Sequence, residues 1–275
     1  ARSDTGLMRV FDRGYSEMTF SRIAVLTGAS EAIIHKEYHL SSADPKLVGE
    51  QAVVPIGRTN YDVADQLSGL GMEAIHPSAA RGLREACIPL RVKNTFEPEH
   101  TGTLITADYV SREPCVEIVA GRRGVHALEH FDQDMVGAIG RRDLHLLTLL
   151  ERHGVKIIAK DINANTVTHY VACSLKRLKR VMRDMEQACP NAQVTSQRVA
   201  LVSAIGSDLQ VTGILADTAK ALSDAGVSIL AVHQSQRQIE MRFVVDEADY
   251  PAAVSALHQS LVESQDHGRA IALAS

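Results

Sequence analysis

Apolar and polar positions in the first hundred residues follow helical spacing in some stretches and alternate in others. The stretch TNYDVADQLSGLG predicts a helix over residues 61–70, with Thr59 or Asn60 as its N-cap and Gly71 as its C-terminal stop. A second helix is predicted over residues 78–85. In PLRVKNT the apolar and basic side chains alternate, which predicts a strand with one buried face. Helices and strands mixed in this way are typical of an α/β fold.

The second half of the chain repeats one pattern. HALEHFDQDMVGAIGRRDLHLLTLLERHGVKIIAKDIN and VALVSAIGSDLQVTGILADTAKALSDAGVSILAVHQS each predict a strand, a glycine-bearing loop, an amphipathic helix and a second strand. Another strand and another helix follow in both copies, so each copy is close to a βαββαβ unit. The buried stripe of the first helix is predicted to be Leu146, Leu149 and Leu150, and that of the second Ile214, Leu215, Ala219 and Leu222.

These patterns divide the chain into four segments. We expect an α/β part over residues 1–109, a connector over 110–124, a first repeat over 125–196 and a second repeat over 197–275. The connector contains the strand CVEIVAG, which can complete the sheet of the second repeat. Small repeated domains of this kind usually bind ligands in pairs, and two ferredoxin-like domains without a ligand stay the alternative.

A glycine turn near the start, in RGYSEMT, has two explanations. Ser16 can cap the following helix by accepting a hydrogen bond from a first-turn N–H group. The same N–H groups and the helix dipole can instead face an anion such as a phosphate. The local residues favour the plain cap and leave the anion site open.

Composition excludes several classes of protein. Of the 275 residues, 45% are apolar and 23% charged, which is ordinary for a soluble globular protein. The net charge of −4 does not indicate a basic surface that binds nucleic acid. No apolar run approaches the length that crosses a bilayer. The histidines follow no metal-binding pattern. The cysteines show no CxxC spacing and are predicted to be reduced, mostly buried thiols of a cytoplasmic protein: Cys87, Cys115, Cys173 and Cys189.

The stretch GMEAIHPSAARGLREACIPLRVKNTFEPEHTGTLIT resembles the end of the catalytic domain of aspartate kinases. The matching positions are His76-Pro77, Ile88-Pro89, Asn94-Thr95-Phe96, Pro98 and Gly102-Thr103-Leu104. SSADPK and RGYSEMT resemble the nucleotide and substrate loops of that family, and the two repeats resemble its tandem ACT domains. RGYSEMTFSRIAVLTGASEAIIHKEYHLSSADPKLVG and VKIIAKDINANTV further resemble the subgroup associated with ectoine biosynthesis.

The resemblance implies the C-terminal part of an amino-acid-kinase α/β domain followed by two tandem ferredoxin-like ACT domains (βαββαβ). It implies that the full enzyme uses ATP and Mg²⁺ to convert L-aspartate into 4-phospho-L-aspartate. The K-[FY]-G-G-T motif of the family does not occur in this sequence, so we expect a truncated chain that is inactive alone. A non-catalytic ACT-domain regulatory subunit that binds an amino-acid effector is the alternative.

Roles for individual residues also come from the resemblance. Arg13 is expected to bind the aspartate carboxylate, with Gly14 and Ser16 at the phosphates. The nucleotide-binding positions are His35, Lys36, Ser41, Asp44, Lys46 and Glu73. Lys36 and Glu73 invert the usual charges of the family, and an ion pair between them is a hypothesis.

The effector site of the family lies between paired first ACT domains, which implies a homo-oligomer. The corresponding positions are Met135, Ala138, Gly140, Arg141, Lys156, Ile157, Ile158 and Asn163. Lysine-inhibited relatives carry an aspartate where Ile158 stands, and a lysine ammonium buried there without a partner would be costly. Threonine is therefore expected to be a better effector than lysine. The partners expected are L-aspartate and an amino-acid effector, with no nucleic acid and no membrane.

Overall fold

The computed structural model describes residues 14–72 and 74–264 of the chain. Two positions assigned from the sequence, Arg13 and Glu73, therefore lie outside the described residues. The chain divides into two compact units. The first comprises Ala1–Gly121, Val202–Phe243 and Pro251–Ser275, and the second comprises Arg122–Leu201 and Val244–Tyr250.

The first unit opens with a four-stranded mixed sheet and its helices. In chain order these are α1 (Tyr15–Thr27), β1 (Ala32–Lys36), α2 (Pro45–Val48), β2 (Arg58–Asn60), α3 (Tyr61–Leu70), α4 (Pro77–Glu85), β3 (Leu90–Asn94) and β4 (Thr103–Thr106). The strand order is β1-β3-β4-β2. Strand β1 runs parallel to β3, β2 runs parallel to β4, and β3 is antiparallel to β4.

The predicted helix over residues 61–70 is confirmed as α3, with the expected ends. The Asn60 side chain accepts a hydrogen bond from the Val63 N–H at 2.9 Å, and Gly71 ends the helix in the left-handed conformation. The predicted strand is β3, in which Leu90 and Val92 are buried. They join a core that α1, α3 and α4 complete from the other side with Ala24, Tyr61, Ala64, Ala79, Ala80 and Leu83.

The first repeat follows the expected element order. It contains β5 (Ile118–Phe131), a 3-10 turn (Gln133–Met135), α5 (Ile139–Arg152), β6 (Lys156–Ile162), β7 (Thr166–Ala172), α6 (Leu175–Ala188) and β8 (Gln193–Ile205). In the second unit β6, β7, β5 and β8 are neighbours in that order, and β7 is antiparallel to both β5 and β6. The predicted stripe is confirmed, since Leu146, Leu149 and Leu150 are buried in the core of this unit.

The second repeat continues from β8 with α7 (Ile214–Asp224), β9 (Ala231–Gln234), β10 (Glu240–Asp246), a 3-10 turn (Glu247–Asp249), α8 (Tyr250–His258) and a π-helical turn (Gln259–Glu263). The predicted stripe of α7 needs correction. Thr218 and Leu222 are buried, whereas Ile214, Leu215 and Ala219 are only partly buried. Thr218 can face the core because its hydroxyl donates to the Ile214 carbonyl at 2.6 Å, which leaves its methyl group for packing.

The last four residues of the predicted strand CVEIVAG, 118–121, are continuous with the first strand of the first repeat in β5. Just before β5, the Glu117 N–H donates to the Ile205 carbonyl at 2.8 Å, and the Cys115 N–H donates to the Asp208 carbonyl at 3.1 Å. All four cysteines are free, but only Cys115 and Cys189 are buried, so the expectation of mostly buried thiols holds for two of them. No helix in the described ranges is long and apolar enough to cross a membrane.

Candidate functional site

An open cleft of about 1170 Å³ lies at one end of the four-stranded sheet. Five of the six positions assigned to nucleotide binding line it: His35, Lys36, Ser41, Asp44 and Lys46. The sixth, Glu73, lies outside the described residues. The structure thus brings the segment over residues 35–46 together with Asn94, Thr95 and Phe96, which lie much later in the chain.

The sheet explains why these side chains meet. Strands β1 and β3 are parallel and in register, with Lys36 opposite Asn94, so their carboxyl ends lie at the same edge. The loops that leave both strands line the cleft, one with Tyr38 and His39, the other with Phe96. Ligands of open α/β sheets commonly bind outside the carboxyl ends of the strands, where such loops diverge.

The SSADPK segment forms a tightly bonded corner of the cleft. Asp44 accepts a hydrogen bond from the Lys46 N–H at 2.9 Å and so caps the one-turn helix α2, which has Pro45 at its first position. This cap fixes the direction of the backbone at Lys46, whose side chain is exposed beside the cleft. The segment is therefore a preformed loop with a cation at its outer end.

Glu17 connects three parts of the site, a role that sequence reasoning missed. Its carboxylate accepts from Lys36 Nζ at 2.7 Å and from the His76 N–H at 2.5 Å. Glu17 is thus the described ion-pair partner of Lys36, where the sequence suggested Glu73. Gly14 lies against the same histidine, because a Cβ added at Gly14 would come within 2.7 Å of the His76 ring.

The expectation that Ser16 caps the first helix is wrong. Helix α1 begins at Tyr15, the N-cap is Gly14 with φ 84°, and no side chain caps the helix. Ser16 lies inside the first turn and is exposed. A glycine in the left-handed region turns the chain sharply into the helix, so a hydroxyl at the second helical position no longer points at the first-turn N–H groups.

Hydrogen bonds also organise the loop after β3. Glu97 lies 3.0 Å from His39 Nε2 and accepts from the Asn94 amide at 3.0 Å. The hydrogen bond from His39 lowers the pKa of Glu97, which keeps this carboxylate ionised. Tyr38 and Phe96, 71% and 75% exposed, flank this network with large solvent-exposed aromatic rings on the cleft wall. No role was predicted for them from the sequence, although Phe96 lies inside the motif that carries the family resemblance.

The positions assigned to an effector are spread over the first repeat. Ala138, Gly140 and Arg141 are exposed at the start of α5. Lys156, Ile157 and Ile158 begin β6, where the register with β7 shifts between Ile157 and Ala159. Asn163 is exposed in the turn to β7, and its N–H donates to Thr166. Met135 is fully buried in the core with Leu128 and Leu146, so its side chain does not face solvent with the others.

A buried polar cluster also lies in this unit, between the sheet and α5. His130 on β5 and His169 on β7 are each 1% exposed. Asp143 lies 2.7 Å from Lys160 Nζ and 3.5 Å from His169 Nε2. Burial lowers the pKa of His169 to about 4, against the opposing effect of Asp143, and burial lowers the pKa of His130 as well. Both rings are therefore neutral at physiological pH.

Comparison with known proteins identifies two families along the chain. The amino acid kinase family matches residues 2–94, and the ACT domain matches residues 194–259. The protein "Aspartate kinase Ask_Ect" of Stutzerimonas stutzeri (strain A1501) is 60% identical over 269 residues, which are 98% of this chain and 56% of that relative. This chain belongs to the aspartate kinase family. The resemblance seen in the sequence is confirmed.

More distant aspartate kinases match over the same range. "Aspartokinase 1, chloroplastic" of Arabidopsis thaliana is 26% identical over 95% of this chain and 47% of its own length. The crystal structure of the Clostridium acetobutylicum aspartate kinase superimposes with a TM-score of 0.83 at 22% identity, over 92% of this chain and 59% of that one. Escherichia coli aspartokinase III in complex with aspartate and ADP gives 0.76 at 21%, over 90% and 56%. These structures support the fold.

The matches cover only part of each curated relative. This aspartate kinase chain spans about half the length of the curated relatives that it matches. The amino acid kinase match ends at Asn94, so the cleft residues from His35 to Asn94 lie inside it, while Phe96 and Glu97 lie just beyond.

Proposed function

We propose that this chain provides the nucleotide-binding half of an aspartate kinase, which transfers a phosphoryl group from ATP to L-aspartate to give 4-phospho-L-aspartate. The observation that carries the proposal is the 60% identity to Ask_Ect over 98% of the chain. The cleft supports it, because five of the positions assigned to the nucleotide line one wall. The name of that relative supports a role in ectoine biosynthesis and, with it, a cytoplasmic enzyme of amino-acid metabolism.

The cleft has the chemistry that a nucleotide requires. Lys46 and His35 line it with cationic or hydrogen-bonding groups for phosphate oxygens, and the rings of Tyr38 and Phe96 offer faces for a base. Asp44 and Glu97 add carboxylates on the same wall. Mg²⁺ is usually held by one or two carboxylates together with the phosphates, so it would enter with ATP. There it would neutralise the charge that develops on the phosphates during transfer.

The start of α1 is the proposed phosphate and substrate end of the site. A 13-residue helix without a side-chain cap presents first-turn N–H groups and the positive end of its dipole. Gly14 lets the backbone approach His76 closely, and Glu17 fixes this helix to Lys36. Of the two explanations of the glycine turn, this geometry favours the anion site. Arg13 stays proposed as the aspartate carboxylate ligand.

The ACT domains are proposed to bind an amino-acid effector between paired copies of the chain. E. coli aspartokinase III has been crystallised with lysine and aspartate. Here Ile158 offers no carboxylate to a lysine ammonium, and Arg141 and Lys156 are exposed cations among the assigned positions. Threonine is therefore proposed as a better effector than lysine, and pairing of first ACT domains implies a homo-oligomer.

Calorimetric titration of this chain with MgADP tests the nucleotide site. The wild type should bind, and Lys46→Ala should weaken binding about tenfold, since a contact to a charged phosphate is lost. Lys179→Ala is the matched control, because Lys179 is an equally exposed lysine on α6 in the other unit. Absence of binding by the wild type, or an equal loss in both variants, would contradict the assignment.

A further inference from the structure

Ser42, inside the SSADPK loop, forms hydrogen bonds through its backbone N–H, its carbonyl and its hydroxyl. Its N–H donates to the Val54 carbonyl at 2.9 Å, and its carbonyl accepts from the Val119 N–H at 2.7 Å. Its hydroxyl oxygen accepts from the Val54 N–H at 3.0 Å and lies 2.8 Å from His258 Nε2. Ser42 is fully buried, while Ser41 before it and Asp44 after it line the cleft.

His258 is the last residue of α8 and comes from a segment far along the chain. It is fully buried, and both of its ring nitrogens have partners, Ser42 through Nε2 and Glu263 through Nδ1, each at 2.8 Å. A carboxylate can only accept, so Nδ1 carries a proton. The two hydrogen bonds, one at each ring nitrogen, fix the orientation of the ring.

The same face of α8 makes a second contact with the loop. Ser255 is three residues before His258, which places both side chains on one side of the helix. The Ser255 hydroxyl donates to the Leu47 carbonyl at 3.1 Å, at the end of the one-turn helix that Asp44 begins. Helix α8 thus contacts the loop at both ends of the segment that carries Lys46.

A catalytic interpretation of these residues does not hold. Ser42, His258 and Glu263 are linked in the order of the nucleophile, base and acid of a hydrolase. The Ser42 hydroxyl, however, is buried, and it already accepts a hydrogen bond from the Val54 N–H. A substrate cannot reach it. Ser42, His258 and Glu263 therefore have a structural role. Their hydrogen bonds join the SSADPK loop to the end of α8.

We propose that His258 is a positioning residue for the nucleotide loop: through Ser42 it sets the place of Asp44 and Lys46 at the cleft, so that the last helix of the ACT segment controls nucleotide affinity. The proposal rests on the proposed function, since it takes the cleft to be the nucleotide site. Residue 258 lies within the part of the chain that matches the ACT domain. A shift of α8 would move Ser42 and Leu47 together, because both are bonded to the same helix face.

Four single variants, and the double variant that combines His258→Leu with Ser42→Ala, test this proposal in two measurements. His258→Leu removes both hydrogen bonds, and Ser42→Ala removes one oxygen atom. His258→Gln keeps one donor and one acceptor and should restore function. Gln259→Ala is the matched control, because it changes an exposed side chain next to His258. The measurements are MgADP affinity by calorimetry and hydrogen exchange of the amides of residues 42–49 by mass spectrometry.

We expect His258→Leu and Ser42→Ala each to weaken MgADP binding about tenfold and to speed exchange in residues 42–49. The double variant should bind no more weakly than either single one, because one contact accounts for both losses. His258→Gln and Gln259→Ala should stay within about twofold of the wild type. If the wild type binds MgADP and His258→Leu binds equally well, this inference is wrong while the nucleotide site stands. If the wild type does not bind, the proposed nucleotide site is wrong and the inference falls with it. Unchanged exchange in both single variants also overturns it.

Discussion

Replacement of Gly14 by alanine tests how the entry to α1 is built. Gly14 has φ 84°, a region that L-residues adopt at a cost of about 1–2 kcal/mol. The added Cβ would lie 2.7 Å from His76 Cδ2 and 2.8 Å from His76 Cγ. His76 is the N-cap of α4, and its ring accepts a hydrogen bond from the Ser78 N–H at 3.2 Å, so the ring cannot move away without disturbing this cap. Forced overpacking of this kind costs about 1–3 kcal/mol more.

Gly28, at the other end of the same helix, is the matched control. It has φ 60°, and a Cβ added there would meet no atom within 4 Å. Gly28→Ala should therefore lower the free energy of unfolding by about 1–2 kcal/mol, and Gly14→Ala by about 2–5 kcal/mol. The difference between the two variants isolates the close approach to His76.

Chemical denaturation followed by circular dichroism measures both variants, and calorimetry measures their MgADP affinity. Gly14→Ala should also weaken MgADP binding, because His76 and the Glu17–Lys36 pair move with the start of the helix. Gly28→Ala should bind as the wild type does. Equal losses of stability in the two variants would refute the contact with His76. Unchanged MgADP affinity in Gly14→Ala would show that the start of α1 does not contribute to nucleotide binding.

Three further predictions follow from the site and the regulatory unit. A double-mutant cycle with Glu17→Gln and Lys36→Met, followed by denaturation, should give a coupling energy of about 0.5–1 kcal/mol, because the pair is partly exposed, and zero coupling would contradict the pair. Since the pKa of His169 is about 4 in the folded chain against 6.5 when exposed, the unfolded chain binds the extra proton between these pH values. The free energy of unfolding should therefore fall as the pH drops from 6.5 to 4, by up to about 3 kcal/mol. In pH-dependent denaturation His169→Gln should reduce this slope, and an unchanged slope would contradict the role of His169. Calorimetric titration with amino acids should give weaker binding of lysine than of threonine, and micromolar lysine binding would refute the role of Ile158.

Local signals in the sequence predicted much of the fold. Helix α3 was predictable because Asn60 and Gly71 define its ends through backbone geometry that few other residues satisfy. Strand β3 was predictable because one of its faces is buried and the alternation is regular. The repeated pattern of the second half predicted the order of its helices and strands for the same reason, since each amphipathic helix covers one sheet face.

The errors and omissions share one cause, which is contact between distant segments. Ser16 has the right chemistry for a cap, but Gly14 adopts positive φ against His76, 62 positions later in the chain, and this moves the helix start. The ion pair between Lys36 and Glu17 was not predicted, because the two residues lie on different elements and meet only in the fold. The link between Ser42 and His258 spans 216 positions, and no local pattern marks either residue.

The central claim is that this chain forms the nucleotide half of an aspartate kinase, and phosphoryl transfer by a chimera tests it most directly. The N-terminal part of the Stutzerimonas relative, up to the start of its match, would be joined to this chain. ADP release is measured with and without L-aspartate, for the chimera and its Lys46→Ala variant, with the 275-residue chain alone as reference. The account predicts aspartate-dependent ADP release by the chimera, a clear loss in the variant and none from the chain alone. A folded chimera that binds MgADP but releases no ADP with L-aspartate would contradict the account.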